Sequence, residues 1–299
     1  MSKEFYMPTP ATRYDVLVGV DGSPESKVAV DWAARTAALR GLSVRLVHVL
    51  TPPGVMTFAE VPTPSGYLQW QENSGSVILD AASRAIAEAT KEHPVEVTTE
   101  MISGPAVPTL VSLSKDAQLM VVGCRGRGAL ARGLLGSVST GLVHHAHCPV
   151  AIIHDQDPLM ADPSGAPVLL GVDGSPASQR AIEIAFEQAS FRGVELVAVH
   201  AWSDTGIFEV PGIDWSAMQA LGEETLSEQL SGWQERYPDV MVRRVVVADR
   251  PAHQLIEQSD SAQLVVVGSH GRGGFAGMLL GSVSTAVVHG VRMPVIVAR

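Results

Sequence analysis

Cysteine is nearly absent. The 299-residue chain has two, Cys124 and Cys148, both in its first half. That excludes a disulfide framework as the source of stability and fits a reducing compartment. Aromatic residues are 5% of the chain and charged residues 17%, whereas 46% is hydrophobic. Such a balance supplies buried cores and excludes a disordered chain. No apolar run reaches the roughly 18 residues that span a bilayer. The opening MSKEFYMPTP lacks an apolar signal-peptide core. The expectation is a soluble cytoplasmic protein with no membrane span. Lysine is missing altogether after residue 154, where nine arginines stand against 18 acids; residues 1–154 carry 12 basic and 13 acidic side chains. With a net charge of −10, the chain has no general attraction for nucleic acid, so any phosphate it binds must be gripped locally.

What the sequence does have is repetition, which precedes any other reading. GCRGRGALARGLLGSVST (Gly123–Thr140) returns as GSHGRGGFAGMLLGSVST (Gly268–Thr285), and VLVGVDGSPES (Val16–Ser26) returns as VLLGVDGSPAS (Val168–Ser178). LVHVL (Leu46–Leu50) faces VAVHAW (Val197–Trp202), AQLMVVG (Ala117–Gly123) faces AQLVVVG (Ala262–Gly268), and CPVAII (Cys148–Ile153) faces MPVIVA (Met293–Ala298). The matches keep their order along the chain, at an offset of 152 in the early ones and 145 in the late ones. This predicts two tandem domains, residues 1–154 and 167–299. The Pro- and Asp-rich stretch at 155–166 joins them as a linker.

Each copy alternates strand and helix signals. Asp15–Val20, Ser43–Leu50, Val95–Ile102, Leu119–Gly123 and Pro149–His154 read as strands. Between them, helices are predicted from Pro24 to about Arg40, over Gln69–His93, Pro105–Lys115 and Ser137–His147. Ser23 and Pro24 supply an N-cap and a first-turn proline for the first helix, and Gly41 closes it. The second copy is expected to repeat this plan. Five strands with intervening helices imply an α/β fold with a parallel, doubly wound sheet in each copy and right-handed crossovers.

The glycine phrase falls between a buried strand and a helix, where ligands of open α/β sheets settle. Gly123 and Gly126 lack a Cβ and allow close approach. Gly136 and Ser137 stand at a helix start, where free N–H groups and the positive end of the helix dipole attract anions. Ser137 and Ser139 offer hydroxyls and Arg127 a charge. Gly268, Gly271, Arg272, Gly281, Ser282 and Ser284 repeat the set. Asp21 and Asp173 close the first strands and fit two roles, a hydrogen bond to a ribose or adenine or turn and cap chemistry. A P-loop pattern is absent. Gly126–Ala131 matches the loose dinucleotide pattern, but it follows the fourth strand and has no acidic residue about 20 positions on, so it is a chance match.

The spacing Gly-x2-Gly-x9-Gly-Ser, together with VGVDGS, VHV or VHA, and CPV or MPV, resembles the ATP-binding signature of the universal stress protein family. The resemblance covers nearly the whole chain, as a tandem member of actinobacterial type. It implies an adenine-nucleotide α-hydrolase-like sheet ordered 3-2-1-4-5 in each domain, with ATP, accompanied by Mg²⁺, between the first and fourth strands. By resemblance, Asp21 meets the adenosine, Val49 lines the adenine pocket, and Val122 and Gly123 lie under the ribose. Gly126, Arg127, Gly136, Ser137, Val138 and Ser139 then surround the phosphates. In the second copy the matching residues are Asp173 and Ala201, then Val267 and Gly268, then Gly271, Arg272, Gly281, Ser282, Val283 and Ser284. The resemblance further implies pairing of the final strands, Val150–Ile153 with Val295–Ala298, as an intrachain pseudo-dimer able to pair again as a homodimer. The function implied is a nucleotide-dependent regulator of stress, dormancy or growth acting through a protein partner. Its rivals are a slow ATPase or nucleotide-transferring enzyme, a cyclic-AMP binder and an FAD-holding redox protein.

Three further features stand outside that scheme. His144, His147 and Cys148 would share one face of a helix and carry metal-ligand chemistry, but only His289 repeats, so helix-end histidines are the simpler reading. His48 and His200 recur inside strands and read as satisfied crevice histidines. The long loops carrying Glu60-Val-Pro62 and Glu209-Val-Pro211, followed by Trp70 and Trp215, read as lids or contact surfaces.

Overall fold

In the computed structural model, residues 14–51, 66–126, 135–154, 165–201, 215–271 and 280–299 are described. The apolar runs of the first half become β1 (Tyr14–Gly19), β2 (Val44–Leu50), β3 (Val97–Ser103), β4 (Ala117–Gly123) and β5 (Val150–Ile153). Those of the second half become β6 (Val168–Gly171), β7 (Leu196–Ala201), β8 (Val242–Val247), β9 (Leu264–Gly268) and β10 (Val295–Ala298). All ten lie in one sheet, ordered β3-β2-β1-β4-β5-β10-β9-β6-β7-β8. Each half therefore has the order 3-2-1-4-5. Neighbours within a half run parallel, and β5 and β10 pair antiparallel, with Ile152 opposite Val295 and Val150 opposite Val297. The two sheets read from the sequence are thus one continuous sheet. The carboxyl ends of the parallel strands face opposite edges of it in the two halves.

Helices α1 (Pro24–Arg40), α2 (Tyr67–Ala89), α3 (Ala106–Leu113) and α4 (Ser137–His145) connect the first five strands. Helices α5 (Pro176–Arg192), α6 (Trp215–Leu230), α7 (Trp233–Arg236), α8 (Pro251–Ser259) and α9 (Ser282–Gly290) serve the second half. Strand residues alternate between two cores, as a period of two requires. Val16, Val18, Val121 and Ile153 join Ala29, Ala33 and Ile86 on one face. Leu17, Met120, Val122 and Ile152 join Leu110 and Leu142 on the other. Both cores run unbroken from one half into the other. Cys124 and Cys148 are buried in the second core. Among the described residues no helix is long and apolar enough to cross a membrane.

Local chemistry sets the ends of α1. Ser23 Oγ accepts from Ser26 N at 3.1 Å, Pro24 occupies the first turn, and Gly41 turns the chain at φ 63°. In α5 the same residue types occupy the same places and Gly193 has φ 64°, but Ser175 makes no cap bond, and among the described residues its buried hydroxyl has no partner. The two serines are therefore energetically unlike. Ser23→Ala is expected to lower stability by about 1 kcal/mol, and Ser175→Ala to stay within about 0.5 kcal/mol of the parent. The difference is read from urea midpoints of the two variants.

The second half departs from the first at its long helix. Where α2 runs unbroken, the counterpart divides into α6 and α7 around Ser231 and Gly232, with Gly232 at φ 78°. Across the seam, α1 and α5 exchange equivalent arginines. Arg40 lies 3.3 Å from Glu187 and over the Phe191 ring. Arg192 lies over Trp32 and donates to Thr36, Gln188 and Gln263. Burial lowers the Arg192 pKa to about 10.

Candidate functional site

At the end of β1 the chain turns through Asp21, whose Oδ1 accepts from Ser23 N at 2.9 Å. The helix cap itself is Ser23, so Asp21 shapes the turn rather than the helix end. Its other oxygen faces the loop after β4. A Cβ placed on Gly126 would lie 2.6 Å from Asp21 Oδ2. The second half repeats this, with Ser175 N donating to Asp173 Oδ1 at 2.9 Å and a Cβ on Gly271 falling 2.5 Å from Asp173 Oδ2. In each half a carboxylate thus bridges the first and fourth strands where strand order reverses, the ligand-binding crevice of open α/β sheets.

A histidine fixes the approach to that carboxylate. His48 Nδ1 lies 2.7 Å from Val20 O, and His200 Nδ1 lies 2.8 Å from Val172 O. A carbonyl only accepts, so Nδ1 carries the hydrogen. Both are satisfied crevice histidines, each bonded to the carbonyl of the residue just before the aspartate.

The glycines divide by purpose. Gly123 is bare because the first turn of α1 presses on it, and an added Cβ would meet the Glu25 backbone at 2.8 Å. Gly126 is bare because of Asp21. Both reasons are internal packing, where the sequence suggested ligand approach. Gly136 is different. It is the N-cap of α4, at φ −69° and ψ 162°, with no side-chain cap. Among the described residues a Cβ there would meet nothing closer than 3.4 Å, so none of them demands glycine. Gly281 has the same geometry, with a nearest approach of 3.5 Å.

Each of these glycines donates its own N–H back across the loop, Gly136 to Cys124 O and Gly281 to Ser269 O, both at 2.8 Å. The first helical bonds run from Thr140 N to Gly136 O and from Thr285 N to Gly281 O. That leaves the amides at Ser137–Ser139 and at Ser282–Ser284 without a partner within their helices, with the positive end of the helix dipole behind them. Ser137 and Ser282 are exposed there. Ser139 and Ser284 are buried, and their hydroxyls donate inward, to Cys124 O at 2.8 Å and Gly268 O at 2.5 Å. The sequence offered these two hydroxyls to a ligand; here they brace the loop. Val122 and Val267 are buried beneath the crevice, Gly123 and Gly268 end their strands, and Val49, Ala201, Val138 and Val283 are half-buried around it.

Arg127 and Arg272 lie outside the described residues, as do the linker at 155–164 and the loops bearing Glu60, Pro62, Glu209 and Pro211. Of the loop tryptophans, Trp70 stands exposed on α2 and Trp215 begins α6. The helical face expected to unite His144, His147 and Cys148 does not form. Helix α4 ends at His145, Ala146 turns to ψ 154°, and Cys148 is buried beyond it. One pairing was not legible in the sequence: Arg125 Nε lies 3.3 Å from Glu25 Oε1, both largely buried, beside the first crevice. The second half has Ala177 and His270 at those positions.

Comparison with known proteins gives a consistent result. Residues 14–154 and 166–299 each match the model of the universal stress protein family. Over 285 residues the chain is 56% identical to the universal stress protein Rv2623 of Mycobacterium tuberculosis, with 95% of this chain and 96% of that one covered. It is 54% identical over 294 residues to Rv2005c of the same organism, with 98% and 99% covered. A universal stress protein from Archaeoglobus fulgidus has a similar fold, at TM-score 0.68 and 22% identity, with 96% of this chain and 97% of that chain covered.

Proposed function

Since the chain belongs to the universal stress protein family, we propose that each half binds one ATP between its first and fourth strands. Bound nucleotide would then regulate how this cytoplasmic protein acts on a protein partner in stress, dormancy or growth control. The observation that carries this reading is the bare helix entrance at Gly136 and Gly281. Uncapped amides and a helix dipole meet there in an acidic chain, at a position where a Cβ would make only ordinary contacts with the described residues. The residues present fit a nucleotide. Asp21 and Val49 would hold the adenosine, Val122 and Gly123 would underlie the ribose, and the α4 amides with Ser137 and Arg127 would take the phosphates. Asp173, Ala201, Val267, Gly268, the α9 amides, Ser282 and Arg272 would do so in the second half. Mg²⁺ would arrive on the phosphates, as is usual for an ion that keeps most of its water.

The two sites are not equivalent. The first has the Arg125–Glu25 pair beside it, and the second has Ala201 where the first has Val49. Mass spectrometry of small molecules released from the heat-denatured purified protein tests the reading. The expected result is ATP at up to two per chain. Recovery of cyclic AMP or FAD would replace the ligand, and no nucleotide recovered together with no uptake of added ATP would overturn the proposal.

A further inference from the structure

The residue after the last strand of each half crosses to the other half. His154 follows β5 and Arg299 follows β10, and the two correspond at the 145-residue offset. Arg299 Nη1 donates to Val143 O in the last turn of α4. His154 Nε2 lies 3.1 Å from Val288 O in the last turn of α9, and its Nδ1 lies 3.1 Å from Met293 O just beyond. Val143 and Val288 also correspond at that offset. The carbonyls of a last helical turn have no partner within the helix, and the negative pole of the dipole gathers on them. In α4, Ala146 N takes Leu142 O, and in α9, Val291 N takes Val287 O. The next carbonyl along each helix is the one received by the other half.

Helices α4 and α9 are also the two whose opposite ends, at Gly136 and Gly281, form the bare entrances. Each has nine residues, so its two ends lie about 13 Å apart on one rigid rod. A side chain that fixes one end therefore aims the amides at the other. Burial lowers the pKa of His154, its two carbonyl partners raise it, and Arg125 and His289 lower it further. A neutral ring donates to one carbonyl and a protonated ring to both.

We infer that Arg299 positions the nucleotide site of the first half and His154 that of the second, so that each site is completed by a residue of the opposite half. This rests on the nucleotide reading above. The test uses the full chain with one site blocked at a time, Gly281→Asp leaving the first site and Gly136→Asp leaving the second. ATP affinity is measured by calorimetry, and amide exchange of α4 and α9 by mass spectrometry.

Arg299→Ala is expected to weaken the first site about tenfold, to leave the second unchanged, and to speed exchange in α4. His154→Ala is expected to do the converse through α9, and His154→Arg to restore the second site. Should Arg299→Ala fail to fold, Arg299→His installs the anchor used by the other half and is expected to stay within about threefold of the parent. Effects confined to the variant's own half, shared equally by both sites, or absent would overturn the inference. Should the parent chain take up no ATP, the nucleotide reading falls by itself. The crossed exchange pattern then still decides whether each residue anchors the opposite helix.

Discussion

Gly136→Asp and Gly281→Asp together are expected to abolish nucleotide binding without weakening the fold. Most substitutions that destroy a site also strain the protein, but this pair should separate the two effects. The N-cap backbone at Gly136 already has the extended conformation that capping residues adopt, and an added Cβ finds ordinary van der Waals distance. Aspartate is among the favoured N-caps, and its carboxylate accepts from the amides two or three residues on. Those are the amides of Val138 and Ser139, on which the proposed phosphates depend. The side chain therefore occupies the anion's place and repels its charge. Losing two charge-assisted hydrogen bonds, each about 1.5–3 kcal/mol, weakens binding by at least about a hundredfold. The melting temperature of the nucleotide-free protein should hold or rise slightly, because a cap is added at each helix. The single variant Gly136→Asp should halve the stoichiometry and leave one site intact. Calorimetric titration with ATP, beside scanning calorimetry of the nucleotide-free chain, checks both halves of the expectation. Unchanged uptake by the double variant would show that phosphates, if bound, are not held at these helix entrances.

The contrast with Gly126 shows what the sequence could and could not say. Both glycines stand in one phrase and look alike as letters. Only the fold reveals that a Cβ on Gly126 would strike Asp21, about one hundred residues earlier in the chain, whereas one on Gly136 would make only ordinary contacts with the described residues. Local signals were read well because their causes are local. Ser23-Pro24 and Gly41 start and stop α1 through bonds within a few residues. The duplication was legible because it is a property of the string, and strand order was available only through family resemblance. What escaped was tertiary in cause. Spacing put Ser139 in the first turn of a helix, but its inward direction is set by the Cys124 carbonyl. The early end of α4 carries no glycine signal: Ala146 simply turns extended so that Cys148 can enter the core. His154 and Arg299 read as unremarkable ends of apolar strands until the seam brings them against helices of the other half.

Phe186→Ala is expected to be the most destabilising single truncation in the second half, and the form of its melting curve would reveal how the halves cooperate. Phe186 is fully buried on α5 and stacks on Trp233 at 6.1 Å and Tyr237 at 5.8 Å. The first half has Ala34 at the equivalent position. The extra ring accompanies the break between α6 and α7: the turn at Gly232 places Trp233 and Tyr237 over the space that Phe186 fills. Removing it leaves a cavity beneath two rings and should cost about 3–5 kcal/mol. A chain of 299 residues melting as one unit has an unfolding entropy of about 0.6 kcal/mol/K, so a loss of roughly 4 kcal/mol lowers its melting temperature by about 6 °C. A half melting alone has less than half that entropy and would fall by about 14 °C while the other half stayed in place. The single, smaller shift is expected. Every residue of β5 and β10 is at most 1% exposed, and the antiparallel pairing at the seam closes an edge that either half alone would present to water. Two resolved transitions, with only the upper one unmoved, would show instead that the seam is too weak to make the duplicated halves fold and unfold together.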